Sequence, residues 1–179
     1  MEKKVFENPV IRDKVTVLKS GADTNGQYLL VEVELKAGGG NALHYHTSFA
    51  EEFIAVEGRL GIDLDKKKLL LNPGQGAIAP INGLHRFYNP GNTTIRFHVK
   101  IAPAQDRFLQ SLGIGYGLAG DGLTNKKGIP KKLDHLAFLL ELSDTRFKGF
   151  LGLVTPFLLK RAESVRRKGI GQALIAKYC

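Results

Sequence analysis

Hydrophobic and polar residues alternate along three segments in the first hundred positions of the chain. Residues 28–35 (YLLVEVEL) carry apolar side chains at every second position, and residues 51–65 repeat this alternation on both sides of Gly58. In residues 94–102 (TIRFHVKIA), apolar side chains take one face and arginine, histidine and lysine take the other. A period of two indicates β-strands that bury one face.

Short turn sequences separate these predicted strands. They read KAGGGN, DKKK, NPGQG, PING and NPGN, and most are rich in glycine, proline or asparagine. Many short strands joined by such turns, with no helical period between them, are typical of an antiparallel sandwich or barrel. We therefore predict a mainly β architecture over residues 14–102.

Beyond these strands the hydrophobic pattern becomes helical. Residues 131–143 place leucine and alanine at helical spacing, and residues 146–168 predict a helix that is kinked at Pro156. Residues 104–120 predict a helix frayed by its glycines, and residues 169–178 predict a last short helix. The tail is therefore expected to be an α-helical extension.

The net charge changes at the same point of the chain as the hydrophobic pattern. Residues 1–104 hold 13 Lys or Arg against 11 Asp or Glu, whereas residues 105–179 hold 13 against 6. The excess of +7 in the second segment supplies most of the net charge of +9. We predict a barrel domain in residues 1–104 and a helical extension in residues 105–179, packed on the barrel or on a dimer partner.

The basic tail has three interpretations. The favoured one is solvated charge on helices that cover the barrel or a partner. A second is contact with an anionic membrane surface, because PFLLKRAESVRRK combines apolar and basic residues. Nucleic-acid binding is the least favoured, because the tail has no groove-reading motif and little aromatic interleaving.

Several features indicate a cytoplasmic protein. The N-terminal residues lack the apolar core of a secretory signal. Residues 149–159 form the longest apolar run without a charge, which is too short to span a bilayer as a helix and is interrupted by Pro156. The single cysteine, Cys179, cannot form an internal disulfide, which fits a reducing compartment.

Two of the five histidines are the candidates for chemistry in the first domain. His44 and His46 stand one residue apart, so on a strand they project from the same face and are about 7 Å apart along the backbone. Tyr45 points to the opposite face. Two imidazoles at this separation can both reach one metal ion.

One of two adjacent acids can join these histidines. Glu51 shares a face with Phe53 and Ala55, and Glu52 shares the other face with the next apolar pair. Because both rows are mostly apolar, strand parity alone leaves the choice between the two acids open.

The segment GGGNALHYHTSFAEEFIAVEG resembles the first sequence motif of the cupin superfamily. That motif is Gly, five residues, His-x-His, three or four residues, Glu, six residues, Gly. The matching positions are Gly38, His44, His46, Glu51 and Gly58. The resemblance selects Glu51 and makes Glu52 a solvated acid on the outer face.

The segment GQGAIAPINGLHRFYN resembles the second cupin motif. The matching positions are Gly74, Pro80, His85 and Asn89. Asn82 stands where the family has glycine, and Gly83 follows it. Asparagine tolerates the left-handed conformation, so either the turn keeps its shape or its glycine has moved by one position.

The resemblance implies a jelly-roll barrel that holds one divalent transition-metal ion. The implied ligands are His44, His46, Glu51 and His85. Three imidazoles and one carboxylate suit Fe, Mn, Ni, Co, Cu or Zn, and they leave positions open on a six-coordinate ion. Glu51 is also a candidate base. A homodimer and a likeness to small bacterial proteins with a single cupin barrel are further implications.

These features predict a small metal-dependent enzyme, a dioxygenase-like oxidoreductase that acts on a small organic molecule. Isomerase chemistry on the same site is a weaker variant of this prediction. One alternative is a non-catalytic cupin that binds or senses a small ligand. Another is a scaffold on a membrane surface, in which the basic tail carries the function.

Apolar residues on the same side as His44 are predicted to form the barrel core, and some of them to line a pocket for an apolar or aromatic ligand. They are Phe53, Ala55, Leu60, Ile62, Phe87 and Phe97. His98 is predicted to face outward, and His135 to form a surface pair with Asp134. The segment GIGYGLAGDG is interpreted as a loop or a frayed helix, because it lacks the context of a phosphate-binding loop.

Overall fold

The computed structural model describes residues 4–179, except for the side chains of residues 150 and 151. The chain divides into two compact units. Among the described residues, the first comprises residues 4–7 and 11–106, and the second comprises residues 8–10 and 107–179. The packing of the helical extension on the barrel or on a dimer partner stays a prediction.

Strands make up most of the first unit, together with a short 3₁₀ helix at Ala22–Thr24. In chain order they are β1 (Val5–Asn8), β2 (Asp13–Lys19), β3 (Leu29–Leu35), β4 (Tyr45–His46), β5 (Ala50–Glu57), β6 (Leu60–Leu64), β7 (Lys67–Leu71), β8 (Gly76–Ala79), β9 (His85–Tyr88) and β10 (Ile95–Ala102).

Six of these strands form one sheet in the order β1-β2-β3-β10-β5-β8. The registers that the structure gives are antiparallel, with Val99 opposite Val31 of β3 and opposite Phe53 of β5. The alternation predicted from the sequence is confirmed, because the apolar row of each central strand is buried. The buried rows are Leu29, Val31, Val33 and Leu35 on β3, and Ile95, Phe97, Val99 and Ile101 on β10.

The opposite face of this sheet carries ion pairs. Arg96 contacts Glu32 and Glu57, and His98 lies 3.4 Å from the carboxylate of Glu32. Glu52 is half-buried on the same face and pairs with a lysine of β10 at 3.4 Å. The outward orientation predicted for His98 and Glu52 is therefore confirmed.

The remaining long strands form a second antiparallel sheet in the order β7-β6-β9. Its central strand buries Leu60 and Ile62. Gly61 of this strand lies opposite Tyr88 of β9, and a Cβ at Gly61 would lie 2.4 Å from the ring of Tyr88. The two sheets enclose the apolar rows between them, which gives the jelly-roll barrel that the sequence predicts.

Helices dominate the second unit. They are α1 (Asp106–Gly120), α2 (Leu133–Leu142), α3 (Phe150–Arg167) and α4 (Ile170–Tyr178), and a short strand β11 (Thr145–Arg146) follows α2. One buried cluster joins residues of all four helices, and a second joins α2 to α3. Within the described residues, none of these helices is long and apolar enough to cross a membrane.

The helical interpretation of the segment GIGYGLAGDG is confirmed, because most of it belongs to helix α1, which buries Ile114 and Leu118 and runs to Gly120. The interpretation of His135 needs correction. His135 is not on the surface, because its side chain is buried on α2. Its neighbour Asp134 pairs instead with Arg161 of α3 at 2.6 Å.

Candidate metal centre

A backbone bridge brings the two sequence motifs together. His44 and His85 form an isolated antiparallel bridge, in which each N–H donates to the carbonyl oxygen of the other, at 2.9 and 2.8 Å. His46 follows on the two-residue strand β4, and Glu51 lies on β5. Residues that are 41 positions apart in the sequence therefore present their side chains to one region of the barrel interior.

The four predicted ligand side chains converge. The metal-ligating atoms of His44, His46, Glu51 and His85 all lie within 4.8 Å of one another, and all four residues are buried. The Nε2 atoms of His44 and His46 are 3.1 Å apart. Oε2 of Glu51 lies 2.7 Å from Nε2 of His85 and 3.7 Å from Nε2 of His46.

Backbone carbonyl groups orient two of the imidazoles. Nδ1–H of His44 donates to the carbonyl oxygen of Ala42 at 2.8 Å, and Nδ1–H of His85 donates to that of Gly83 at 2.9 Å. Each bond places a proton on Nδ1 and points Nε2 toward the cluster. Outer bonds of this kind set the tautomer and the ring orientation in metal-binding histidines.

Burial and mutual contact determine the charges in the cluster. Burial, together with the neighbouring His85 and His46, lowers the pKa of His44 to about 3, so this imidazole is neutral at physiological pH. Burial opposes charge on Glu51, but the hydrogen bond from His85 and the nearby His46 outweigh it and lower the pKa of Glu51 to about 2. Burial likewise opposes charge on His85, but the bond to Glu51 raises the pKa of His85. The contact between His85 and Glu51 therefore favours the charged form of each residue.

The separations of the ligating atoms fit a first-row transition-metal ion. Bonds from such an ion to imidazole nitrogen or carboxylate oxygen are about 2.0–2.2 Å long. Two ligand atoms on that ion are then about 3.0 Å apart at a right angle and about 3.4 Å apart at a tetrahedral angle. Three of the observed separations, at 2.7, 3.1 and 3.7 Å, span these values. Three imidazoles with one carboxylate also form a donor set that favours transition metals over Mg²⁺ or Ca²⁺.

The turn before His85 keeps its shape despite the exchange of glycine for asparagine. Asn82 adopts φ 64°, which is the left-handed conformation. Its N–H donates to the carbonyl oxygen of His46 at 2.8 Å, so the turn is tied to a ligand strand. Gly83 has a different reason to be glycine, because a Cβ there would lie 2.8 Å from Cδ of Pro80. The glycine of the motif has therefore not moved by one position.

Two other motif positions have structural roles. The buried Asn89 donates from Nδ2 to the carbonyl oxygens of Leu35 and Thr93, at 2.9 and 2.7 Å. Gly58 adopts φ 73°, and a Cβ there would lie 2.5 Å from the side chain of Ile95. These residues hold the strands that carry the cluster, and they take no part in its chemistry.

Aromatic side chains surround the imidazoles. Phe49 is buried and stacks on His46, with ring centroids 4.2 Å apart and an interplanar angle of 24°. The ring centroid of Phe53 lies 5.8 Å from that of His85 and 6.3 Å from that of Phe87. The sequence interpretation did not single out Phe49. Its signal was a lone aromatic residue in the polar segment directly after the histidine pair.

The six predicted pocket residues lie in the barrel interior. Five of them are at most 1% exposed, and Phe87 is half-buried. The fully buried residues are Phe53, Ala55, Leu60, Ile62 and Phe97. Their role as core residues is clear from this burial, whereas their contact with a ligand stays a prediction.

Comparison with known proteins supports the same fold. The family model of the cupin domain (Cupin_2) matches residues 31–101. The polyketide synthase CurC of Streptomyces cyaneus is 43% identical over 61 residues, which are 34% of this chain and 39% of that protein. Quercetin 2,3-dioxygenase of Bacillus subtilis is 27% identical over 100 residues, which are 56% of this chain and 30% of that protein. The match spans less than half the length of either curated relative.

Among solved structures, an RmlC-like cupin from Shewanella frigidimarina superposes with a TM-score of 0.51 at 20% sequence identity. The superposition covers 60% of this chain and 89% of that chain. At this identity the likeness is one of fold.

Proposed function

Because residues 31–101 belong to the cupin family, we propose that this chain binds one divalent transition-metal ion and catalyses dioxygenase-like oxidation of a small organic molecule. The observation that carries the proposal is the convergence of four buried ligand groups within 4.8 Å. The proposed ligands are His44, His46, Glu51 and His85.

The donor set supports a first-row transition-metal ion. Imidazole and carboxylate ligands suit Fe, Mn, Ni, Co, Cu and Zn. A bound ion of this group with open positions supplies a Lewis acid and a binding place for substrate or dioxygen. The protein supplies pre-oriented Nε2 atoms, because the Nδ1–H bonds of His44 and His85 fix their rings before any ion binds.

The surroundings of the cluster favour an apolar or aromatic substrate. Phe49 stacks on His46, and Phe53 lies against His85, so two of the imidazoles border aromatic rings. Phe87 extends this aromatic wall from Phe53. Aromatic walls bind flat apolar molecules and exclude water from the site. Oxygenase chemistry on quercetin is the named activity of one relative, which agrees in kind with this proposal.

Glu51 is proposed to act first as a ligand and, if it dissociates from the metal, as a base. Burial opposes charge on Glu51, but His85 and His46 lower its pKa. Glu51 is therefore a weak proton acceptor while the 2.7 Å bond to His85 persists. A base works best when its pKa is near the operating pH. The hydrogen bond from His85 is the largest interaction that lowers the pKa of Glu51, so Glu51 accepts a proton more readily when that bond is broken.

Metal content separates the roles of the adjacent acids. The purified full chain is analysed for bound metal together with the variants Glu51→Gln and Glu52→Gln. Both variants remove one carboxylate from β5, but only Glu51 belongs to the cluster. We expect about one ion per chain in the native protein and in Glu52→Gln, and a severalfold lower content in Glu51→Gln. Equal metal content in all three, or none in the native protein, would refute the metal site.

Oxygen consumption then tests the reaction. The metal-loaded chain is given a panel of small phenolic and aliphatic compounds in a closed oxygen electrode, with His44→Ala as the inactive reference. Uptake that depends on both a compound and His44 supports the oxidoreductase. Metal binding with ligand-induced thermal stabilisation but no uptake would instead support a cupin that binds or senses a small molecule.

Homodimerisation and a cytoplasmic location belong to the same proposal. Both were expected from the sequence and its resemblance to the cupin family. Sedimentation equilibrium of the native chain measures the first directly, and a monomer at micromolar concentration would contradict it.

A further inference from the structure

Helix α3 and Lys168, the residue that caps its C-terminal end, carry a straight stripe of mainly apolar and basic residues that faces solvent. The stripe consists of Leu153, Phe157, Lys160, Ser164, Arg167 and Lys168. These positions follow the spacing of neighbours along a helix and fall within about 100° of arc at 100° per residue. At 1.5 Å per residue the stripe is about 22 Å long.

The opposite face of α3 is fixed in the core of the second unit. Thr155, Leu158, Ala162 and Val165 are buried there. They lie about half a turn away from the stripe around the helix axis. The orientation of α3 is therefore set by packing, and the stripe is left to solvent.

The apolar part of the stripe is unusually exposed. Leu153 is 79% exposed and Phe157 is 62% exposed, more than any other large apolar side chain that the structure describes. They stand four positions apart and are therefore neighbours on the helix surface. Single exposed apolar residues are ordinary on protein surfaces, but here two are adjacent and continue directly into a basic segment.

The other part of the stripe is cationic. Lys160, Arg167 and Lys168 are exposed, and the stripe itself contains no acidic residue. A shallow groove of about 300 Å³ beside Phe157 is lined by these three residues and by Arg161, which also pairs with Asp134. Glu163 is the other acid in its lining. Four cations against two acids leave the groove suited to an anionic phosphate group.

We propose that the α3 stripe docks on an anionic phospholipid membrane surface. Leu153 and Phe157 project outward from a convex helix, so they can enter the boundary of headgroups and acyl chains, whereas a protein partner would need a matching cavity. Lys160, Arg167 and Lys168 then lie in the same plane and contact lipid phosphates. This arrangement is that of an interfacial helix, which lies on a bilayer without crossing it. The sequence alone favoured solvated charge for the tail, and the exposure of the two apolar residues changes that preference.

The expected strength of membrane binding follows from the number of charges and apolar side chains in the stripe. One Lys or Arg near an anionic membrane strengthens binding by about fivefold, so three contribute about a hundredfold. Burial of the two apolar side chains adds at least about tenfold. The electrostatic part is screened by salt, because the Debye length shortens to about 3 Å at 1 M.

Flotation with lipid vesicles tests the proposal. The full chain is mixed with vesicles of phosphatidylcholine alone, or of phosphatidylcholine with phosphatidylglycerol, and is centrifuged through a density gradient. We expect flotation with the anionic vesicles only. The triple variant Lys160→Gln, Arg167→Gln, Lys168→Gln should bind about a hundredfold more weakly, and Phe157→Gln should bind severalfold more weakly.

A charge-matched control separates the stripe from net charge. Lys66 lies in the turn between β6 and β7, Lys67 and Lys68 begin β7, and all three are exposed. Their replacement by glutamine therefore removes three positive charges from the first unit. This control should float like the native chain. Equal loss in both triple variants, or no flotation of the native chain, overturns the proposal. Stripe-dependent retention on an immobilised acidic peptide without flotation would identify an acidic protein partner and overturn it as well.

Discussion

The turn at Asn82 gives a prediction in which backbone conformation is separated from packing. Asn82 is exposed, so a new side chain there meets solvent and the change in stability reports mainly on φ 64°. The left-handed conformation costs an ordinary L-residue about 1–2 kcal/mol and asparagine less, and glycine has no Cβ that would clash. We expect Asn82→Ala to lower the free energy of unfolding by about 1 kcal/mol and Asn82→Val by about 2 kcal/mol.

The glycine variant and an exchange of neighbours complete the series. Asn82→Gly should stay within about 0.5 kcal/mol of the native chain, because relief of the Cβ contact is offset by greater entropy in the unfolded state. The double variant Asn82→Gly, Gly83→Asn has the same composition as the native chain. It should be less stable than either Asn82→Gly or the native chain, because a Cβ at position 83 would lie 2.8–2.9 Å from Cδ and the carbonyl oxygen of Pro80.

The assay must report on the first unit alone. Because the chain contains no tryptophan, amide hydrogen exchange of β10, the strand between β3 and β5 in the six-stranded sheet, is measured in increasing urea. For a slope of about 2 kcal/mol per molar urea, the valine variant should unfold about 1 M earlier than the native chain. A valine variant with an unchanged midpoint, or an exchanged variant as stable as the native chain, would refute the assignment of strain and clash in this turn.

Three further predictions address packing, pH and metal binding. Gly61→Ala should destabilise the barrel by at least about 2 kcal/mol in urea unfolding, because its Cβ would meet the ring of Tyr88 at 2.4 Å. Gly91→Ala should be neutral, because the nearest contact of its Cβ would be at 3.5 Å. Burial lowers the pKa of His135, so the unfolded chain binds more protons than the folded chain as the pH falls below about 6.5. In thermal unfolding, His135→Gln should therefore lose less stability on acidification than the native chain. Equal losses would contradict this. Burial opposes charge on His85, but the bond from His85 to the adjacent carboxylate raises its pKa. Metal binding near neutral pH should therefore release a proton, which an indicator dye detects in weak buffer. A binding reaction without proton release would contradict this.

The barrel could be predicted from the sequence because its strands separate apolar from charged residues cleanly. On β10, the charged and histidine positions face outward and the four apolar positions are buried. The order of the strands could not be predicted in this way. The neighbours of β10 are β3 and β5, and both pairings join segments that are distant in the sequence. Such pairings depend on which surfaces meet, and a local pattern does not contain that information.

The burial of His135 shows a different limit of sequence reasoning. Asp134 stands beside it, and the sequence therefore indicated a surface pair. On the helix, however, residue 135 lies about 100° around the axis from Asp134, so a charged neighbour in sequence does not place it in solvent. Its burial depends on where α2 packs, and Asp134 turns instead to Arg161 of α3.

The pairing of β5 with β10 decides which of the adjacent acids, Glu51 or Glu52, faces the barrel interior, a question that the alternation along β5 alone leaves open. Both rows of β5 are mostly apolar, but the faces of β10 are unambiguous in the sequence. In the structure, Ile101 lies opposite Glu51 and Lys100 lies opposite Glu52. Residues directly opposite on antiparallel strands project from the same face, so the buried face of Ile101 fixes Glu51 inside. The pairing register therefore supplies a physical reason for the ligand that the motif selects: Glu52 meets a lysine in solvent, while Glu51 is carried inward to the three histidines.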